Sequence, residues 1–473
     1  MIVDFGGELE EVITREEFPL EKARKIYKDE TISFLGYGSQ GPAQSKNARN
    51  QGFKVIIGQR KYDGKKVSKN WKKALEDGWE PGKNLFSDLR EASSRGDTVA
   101  MLTSDASSYE VWQTISNGLE EGNLLYFSHG MPLIFGGITP PKNIDVGMIA
   151  PKGAGAGLRD MFKRGTGTNA SFALEQDFTG NLRDRVLAMG RAIGTGYVFG
   201  NTMGLEVVED HHGERNTLLA SAGAVAQSAY MRACASGMNR RDAFIYTSEQ
   251  LTQVILPIIG AEGAKGIYDR AQAAGKAHIV AEMQKIISGA TVDINDNLYK
   301  SCSSGNEARI ALESNNLPGY RDQLKGELDK LNTKDIWKTG FDVRGMNIDR
   351  TYGLKIENWE LTGAMLGLID SQYACLTSNG HRLSACFNET VEELTQCLNP
   401  KFYQDSGCSG LIGVCSTTAQ RGALDWLPQF ERVISAAWPE KVVGSDVLQG
   451  YSPTNVWTVG EIVRGLRPEN QAK

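Results

Sequence analysis

One pattern occurs twice after about residue 200 of this chain. GMNRRDAFIYTSEQLTQVILP (237–257) aligns with GHRLSACFNETVEELTQCLNP (380–400) at a constant offset of 143, and the shared LTQ and closing Pro fix the register. A second pair, DIWKTGFDVRGM (335–346) and NVWTVGEIVRGL (455–466), ends each copy at an offset of 120, so the second copy carries a shorter loop. The patterning within both is amphipathic and helical. The reading is two like helical repeats, 201–350 and 351–473, with the polar stretch SGATVDINDNLYKSCSSGNEA (288–308) as a loop.

The copies differ where chemistry would sit. Glu389 and Glu393 stand four apart in the second copy, where the first has Tyr246 and Gln250. Asp210 and Glu214 stand four apart in the first, where the second has Gly353 and Glu357. Four residues is about one helical turn, so each pair shares a face. A single acidic pair of this kind is usually a solvated surface. Two complementary half-losses leave one whole set of four, and a pseudo-twofold would let the pairs face each other. Four carboxylates without cysteine suit hard cations such as Mg²⁺, two ions better than one. His211 and His212, which fill the middle of EVVEDHHGER, diverge by about 100° on a helix and cannot both face one metal; neither is expected to be a ligand.

Ahead of the repeats the pattern changes. TISFLGYGSQG (31–41) is an apolar run closing in Gly36, Gly38 and Gly41, followed by a helix-compatible stretch and by FKVIIG (53–58). That is the β-turn-α-β order of a Rossmann dinucleotide site, where the glycines permit the turn, the approach of a pyrophosphate and helix packing. Residues 1–200 are therefore read as an α/β domain, with Gly36, Tyr37, Gly38, Ser39, Gln40 and Gly41 at the cofactor. Arg60 and Lys61 follow the second strand where an acidic residue would favour NAD, and a guanidinium suits the 2′-phosphate of NADPH. Further strand-like runs, DTVAMLT (97–103), NLLYFSHG (123–130) and VGMIAPKG (146–153), place His129 and Lys152 at the carboxyl edge of a parallel sheet.

Composition narrows the partners. A net charge of −5 and only short basic runs argue against nucleic acid. No stretch reaches the ~18 apolar residues of a membrane span, and the acidic N-terminus lacks a signal core. The expected location is the cytoplasm, or an organelle after removal of a presequence. Seven cysteines without CxxC pairs read as reduced core thiols.

The motifs GYGSQG (36–41), YFSHG (126–130), APKG (150–153), DHHGE (210–214), FNETVEE (387–393) and CSTTAQRGALDW (415–426) together resemble the ketol-acid reductoisomerases over nearly the full chain. The duplicated helical domain is similar to the long form of that family. The resemblance implies a knotted helical domain and the conversion of 2-acetolactate or 2-aceto-2-hydroxybutyrate to a 2,3-dihydroxy acid. Two Mg²⁺ ions and NADPH would serve it. Asp210 would bridge the ions, Glu214 would complete the first, and Glu389 and Glu393 would meet the second or hold its waters. Ser416 would bind the substrate carboxylate, and His129 and Lys152 would line the polar site. Arg60, Ser68 and Asn70 would meet the 2′-phosphate, Asn70 standing where the family commonly has Ser. A homodimer or tetramer is expected. Two alternatives stay open on the residues: a metal-independent NADP-linked hydroxy-acid dehydrogenase, and a catalytically silent relative retained as a scaffold.

Overall fold

Ten strands of the N-terminal region form one sheet. The computed structural model describes residues 1–442 and 454–471. Six parallel strands run side by side in the order Leu85–Phe86, Lys54–Gly58, Thr31–Leu35, Thr98–Met101, Leu124–Phe127, Asp145–Pro151. The order reverses beside Thr31–Leu35, the crevice where doubly wound sheets bind nucleotides. Beyond them lie Ala170–Gln176, antiparallel to Asp145–Pro151, then Val198–Gly200, Leu9–Ile13 and the edge strand Ile2–Asp4. Both faces of the parallel part are covered, which is why its strands read as continuous apolar runs. Ile32, Phe34, Ala100, Leu124 and Tyr126 enter one core, and Leu35, Val99, Met101, Leu125 and Phe127 the other.

The chain divides into two units, Met1–Val207 with Gly465–Lys473, and Val208–Arg464. The sequence repeats fall in the second apart from residues 201–207 and 465–473, because they interleave. Helix Ala220–Ala235 of the first copy packs along Thr417–Ala437 of the second, and Ala277–Ala290 of the first along Trp359–Ser378 of the second. Cβ atoms on Gly363 and Gly367 would stand 2.3 and 2.5 Å from the carbonyl oxygens of Val280 and Gln284, so this pair meets backbone to backbone.

The exchange is reciprocal. Gln253 Nε2 donates to Gln404 O at 3.5 Å, and Gln396 Nε2 donates to Gly260 O at 3.5 Å. These are the two glutamines of the repeated LTQ. Gly263 (φ 67°) lies under the Arg464 guanidinium and Gly407 (φ 66°) under that of Arg344, again each from the other copy. Both LTQ segments are π-helical, over Ile245–Ile255 and over Asn388–Glu392 with Leu394–Tyr403.

The stretch 288–308 is not a loop. Val292–Ser303 is a helix whose Ile294, Leu298 and Cys302 form a buried stripe at four-residue spacing, while its polar residues other than the buried Asn295 are exposed or half-exposed. Only three apolar anchors in twelve residues hid that period. Among the described residues no helix is long and apolar enough to cross a membrane, and all seven cysteines are free thiols.

Candidate active site

The glycine loop has the geometry its spacing implied. Gly36 has φ 101°, and a Cβ there would lie 2.6 Å from Leu102 O. A Cβ on Gly41 would lie 2.1 Å from Gly36 O, whereas one on Gly38 would meet nothing within 4 Å. Gly38 and Ser39 are exposed and leave open backbone ahead of helix Gly41–Asn50. Gln40 Nε2 donates to Gly153 O at 3.0 Å, tying the loop to the end of Asp145–Pro151. Tyr37 points away. Its side chain is buried, with the hydroxyl donating to Asp77 at 2.8 Å and accepting from Trp79 Nε1 at 2.8 Å. Its backbone N–H donates to Gln59 Oε1 at 2.8 Å. Arg60 is half-exposed and pairs with Glu110 at 2.9 Å. Ser68 N donates to Lys61 O at 2.9 Å, returning the loop to the strand end, and Ser68 caps helix Lys69–Glu76. Asn70 lies in that helix's first turn, so Arg60, Ser68 and Asn70 belong to one basic loop.

His129 and Lys152 meet at a residue the sequence reading overlooked. Glu206 is buried at 1% exposure. It accepts from Gly130 N at 2.8 Å, and its carboxylate lies 3.2 Å from His129 Nδ1 and 3.6 Å from Lys152 Nζ. Burial pushes this carboxyl up. The charges of His129 and Lys152 and the bonds from His129 and Gly130 outweigh that and hold it at about 2. The signal was present: Glu206, Asp210 and Glu214 recur every four residues along Met203–Glu214.

The carboxylate pairs come together within the second unit. Asp210 and Glu214 are half-buried on a helix end whose Glu209, His211, His212 and Gly213 are buried. A Cβ on Gly213 would lie 2.7 Å from the carbonyl oxygen of Glu389 and 3.3 Å from its carboxylate. Glu389 is fully buried and Glu393 half-buried. Cys415 lies near these carboxylates. Burial pushes its thiol well up, and Glu214, Glu393 and Asp210 add to the push. Next to it, Ser416 caps helix Thr417–Ala437, its Oγ accepting from Ala419 N at 3.0 Å.

Other partners hold these groups. Arg215, fully buried, reaches Glu214 at 3.3 Å and Glu307 at 2.7 Å. His381 Nδ1 and Glu209 Oε1, both wholly buried, lie 2.7 Å apart. His212 Nε2 lies 3.4 Å from Asn295 O, and burial lowers this histidine to about 3, so it is neutral and turned into the protein. At the pseudo-twofold mate the carboxylates are replaced by an internal ion pair. Glu249 is bound by Arg350 at 2.9 and 3.1 Å, with Tyr352 OH donating at 3.3 Å. Tyr352 and Leu354 flank Gly353 in left-handed conformations, so the counterpart of the Asp210–Glu214 helix is unwound there.

A parallel sheet with this switch point and glycine loop, followed by an all-helical unit with converging carboxylates, defines a dinucleotide-dependent oxidoreductase of two-part build. The chain matches the family profile described as acetohydroxy acid isomeroreductase, NADPH-binding domain, over residues 26–198. It matches that of the ketol-acid reductoisomerase C-terminal domain over 204–348 and 354–450. The ketol-acid reductoisomerase (NAD(+)) of Desulfosudis oleivorans is 39% identical over 73% of this chain and 97% of its own length. The mitochondrial ketol-acid reductoisomerase of Neurospora crassa is 38% identical over 73% of this chain and 85% of its own. The chloroplastic enzyme of Pisum sativum is 29% identical but spans 92% of this chain and 77% of its own. An NADH-preferring ketol-acid reductoisomerase from an uncultured archaeon has a similar structure, with TM-score 0.64 and 25% identity over 71% of this chain and 99% of that one. The chain belongs to the ketol-acid reductoisomerase family, the isomeroreductases of branched-chain amino-acid biosynthesis.

Proposed function

We propose that this enzyme takes 2-acetolactate or 2-aceto-2-hydroxybutyrate through an alkyl migration and reduces the product with NADPH, using two Mg²⁺ ions. The observation that carries the metal assignment is the approach of Glu389 to Gly213, which sets FNETVEE beside DHHGE. The donor set fits hard divalent cations: Asp210, Glu214, Glu389 and Glu393 are all oxygen ligands, two half-exposed on a helix face and one wholly buried. Bound there, the ions would polarise the hydroxyl and ketone oxygens on the two adjacent carbons between which the alkyl group moves.

The chain's own groups supply the rest. Glu206 keeps Lys152, which is 4% exposed, as a desolvated ammonium and orients the His129 ring. Lys152 would donate toward a substrate oxygen, and a charge in so dry a place acts strongly. Ser416 and the first turn of Thr417–Ala437 present donors to the substrate carboxylate. The loop of Arg60, Ser68 and Asn70 favours NADPH over NADH. Relatives carry either preference in their names, NAD(+) in Desulfosudis oleivorans and NADP(+) in Methanopyrus kandleri. The expected assembly is a homo-oligomer acting on small acids in the cytoplasm or in an organelle.

The test is NADPH oxidation with 2-acetolactate, with Mg²⁺ and after EDTA. Turnover that survives EDTA would favour the metal-independent dehydrogenase. No turnover in either case would favour a silent scaffold.

A further inference from the structure

Gln372 lies on helix Trp359–Ser378, wholly buried. Its Oε1 accepts from Thr217 N at 3.0 Å, three residues past Glu214. Its Nε2 donates to Glu389 O at 3.0 Å. Turned over, the amide would set donor against donor and acceptor against acceptor, so only one orientation serves both bonds. One side chain thus fastens the backbone of both carboxylate segments. Thr217 Oγ1 donates to Thr390 O at 2.8 Å and runs parallel to this brace. The helix is itself held in place, since Asn295 Nδ2 donates to Ser371 Oγ at 2.9 Å and to Thr291 O at 2.8 Å.

The internal duplication gives a control. At the repeat offset Gln372 becomes Ala229, which is buried in the corresponding helix Ala220–Ala235. Its partners become Glu360 for Thr217 and Tyr246 for Glu389. A residue needed only to pack this helix would suit either copy. The amide stands only at the one of the two equivalent places where a carboxylate pair of each copy meets the other.

We propose that Gln372 is a positioning residue that sets the Asp210–Glu214 and Glu389–Glu393 pairs in register and thereby fixes their affinity for divalent cations. The proposal rests on the metal reading given above. Groups that orient metal ligands from outside typically change affinity by about 10- to 100-fold when removed.

The test uses the full chain and Mn²⁺ alone, without substrate. Gln372→Met keeps length and removes both bonds, while Gln372→Glu keeps the acceptor for Thr217 and loses the donor to Glu389. Calorimetric Kd for Mn²⁺ is expected to weaken by about tenfold in each, and the rise in Tm that Mn²⁺ produces is expected to shrink. Gln284→Met removes another buried amide of the same unit, one bonded to Asp370 and Tyr268. It should lower the Tm without metal and leave the Mn²⁺ Kd unchanged. A folded Gln372 variant that binds Mn²⁺ as tightly as the wild type overturns the positioning role alone. A wild type that takes up no Mn²⁺ overturns the metal reading and the proposal with it.

Discussion

Gly213 and Glu389 stand so close that a single methyl group on the glycine would lie 2.7 Å from the glutamate's carbonyl oxygen. A backbone oxygen cannot swing aside as a side chain can. Gly213→Ala should therefore push the two carboxylate segments apart. Overpacking of this kind costs about 1–3 kcal/mol. The expected result is a Tm lower by several degrees and weaker Mn²⁺ binding, read by thermal unfolding and calorimetry.

Glu206 is held ionised beside His129 and Lys152, and its loss should be felt twice. Glu206→Gln leaves the buried Lys152 without its counter-charge, a change that typically costs about 3–5 kcal/mol. Its folded pKa is depressed to about 2 from 4.5. The stabilisation is then fully present above pH 4.5 and is lost as pH falls toward 2. The gap in urea stability between wild type and Glu206→Gln should close over that range. A constant gap would contradict the assignment.

His212 has the opposite consequence for acid stability. Its pKa falls from 6.5 to about 3 in the folded chain. The unfolded chain takes up a proton that the folded one refuses, so stability falls as pH drops from 6.5 toward 3. His212→Gln should flatten that limb of the stability curve. Neither it nor His211→Ala should abolish Mg²⁺ binding, as titration calorimetry would show.

Arg60 tests the cofactor. Its guanidinium lies on the surface in an ion pair with Glu110, free to exchange that partner for a phosphate at small cost. Arg60→Ala should raise KM for NADPH by about tenfold, the worth of one charge-assisted contact, and leave KM for NADH nearly unchanged. Equal shifts for both cofactors would place the arginine outside the 2′-phosphate site.

Much of this was legible along the chain. The glycine loop and five strands of the parallel sheet declare themselves because each is fixed by neighbours a few residues away. The LTQ repeat was legible as a register mark, though its reason was not. Gln253 and Gln396 recur because each bonds the backbone of the opposite copy. Glu206 was missed because the repeat comparison singled out Asp210 and Glu214, one turn further along the same helix. Helix Val292–Ser303 was missed because few apolar residues suffice where a polar residue, Asn295, is also buried and bonded.

By itself the sequence determined the local elements, the duplication, and which copy kept which carboxylates, since these follow from periodicity and from comparing the chain with itself. Only the tertiary structure decided that the copies interleave, that Glu389 comes to Gly213, and that Gln372 and Glu206 hold the groups around them. Those contacts join residues far apart in the chain, and no local pattern encodes them. They are set when buried polar groups, once withdrawn from water, must find partners wherever the packed backbones bring them together.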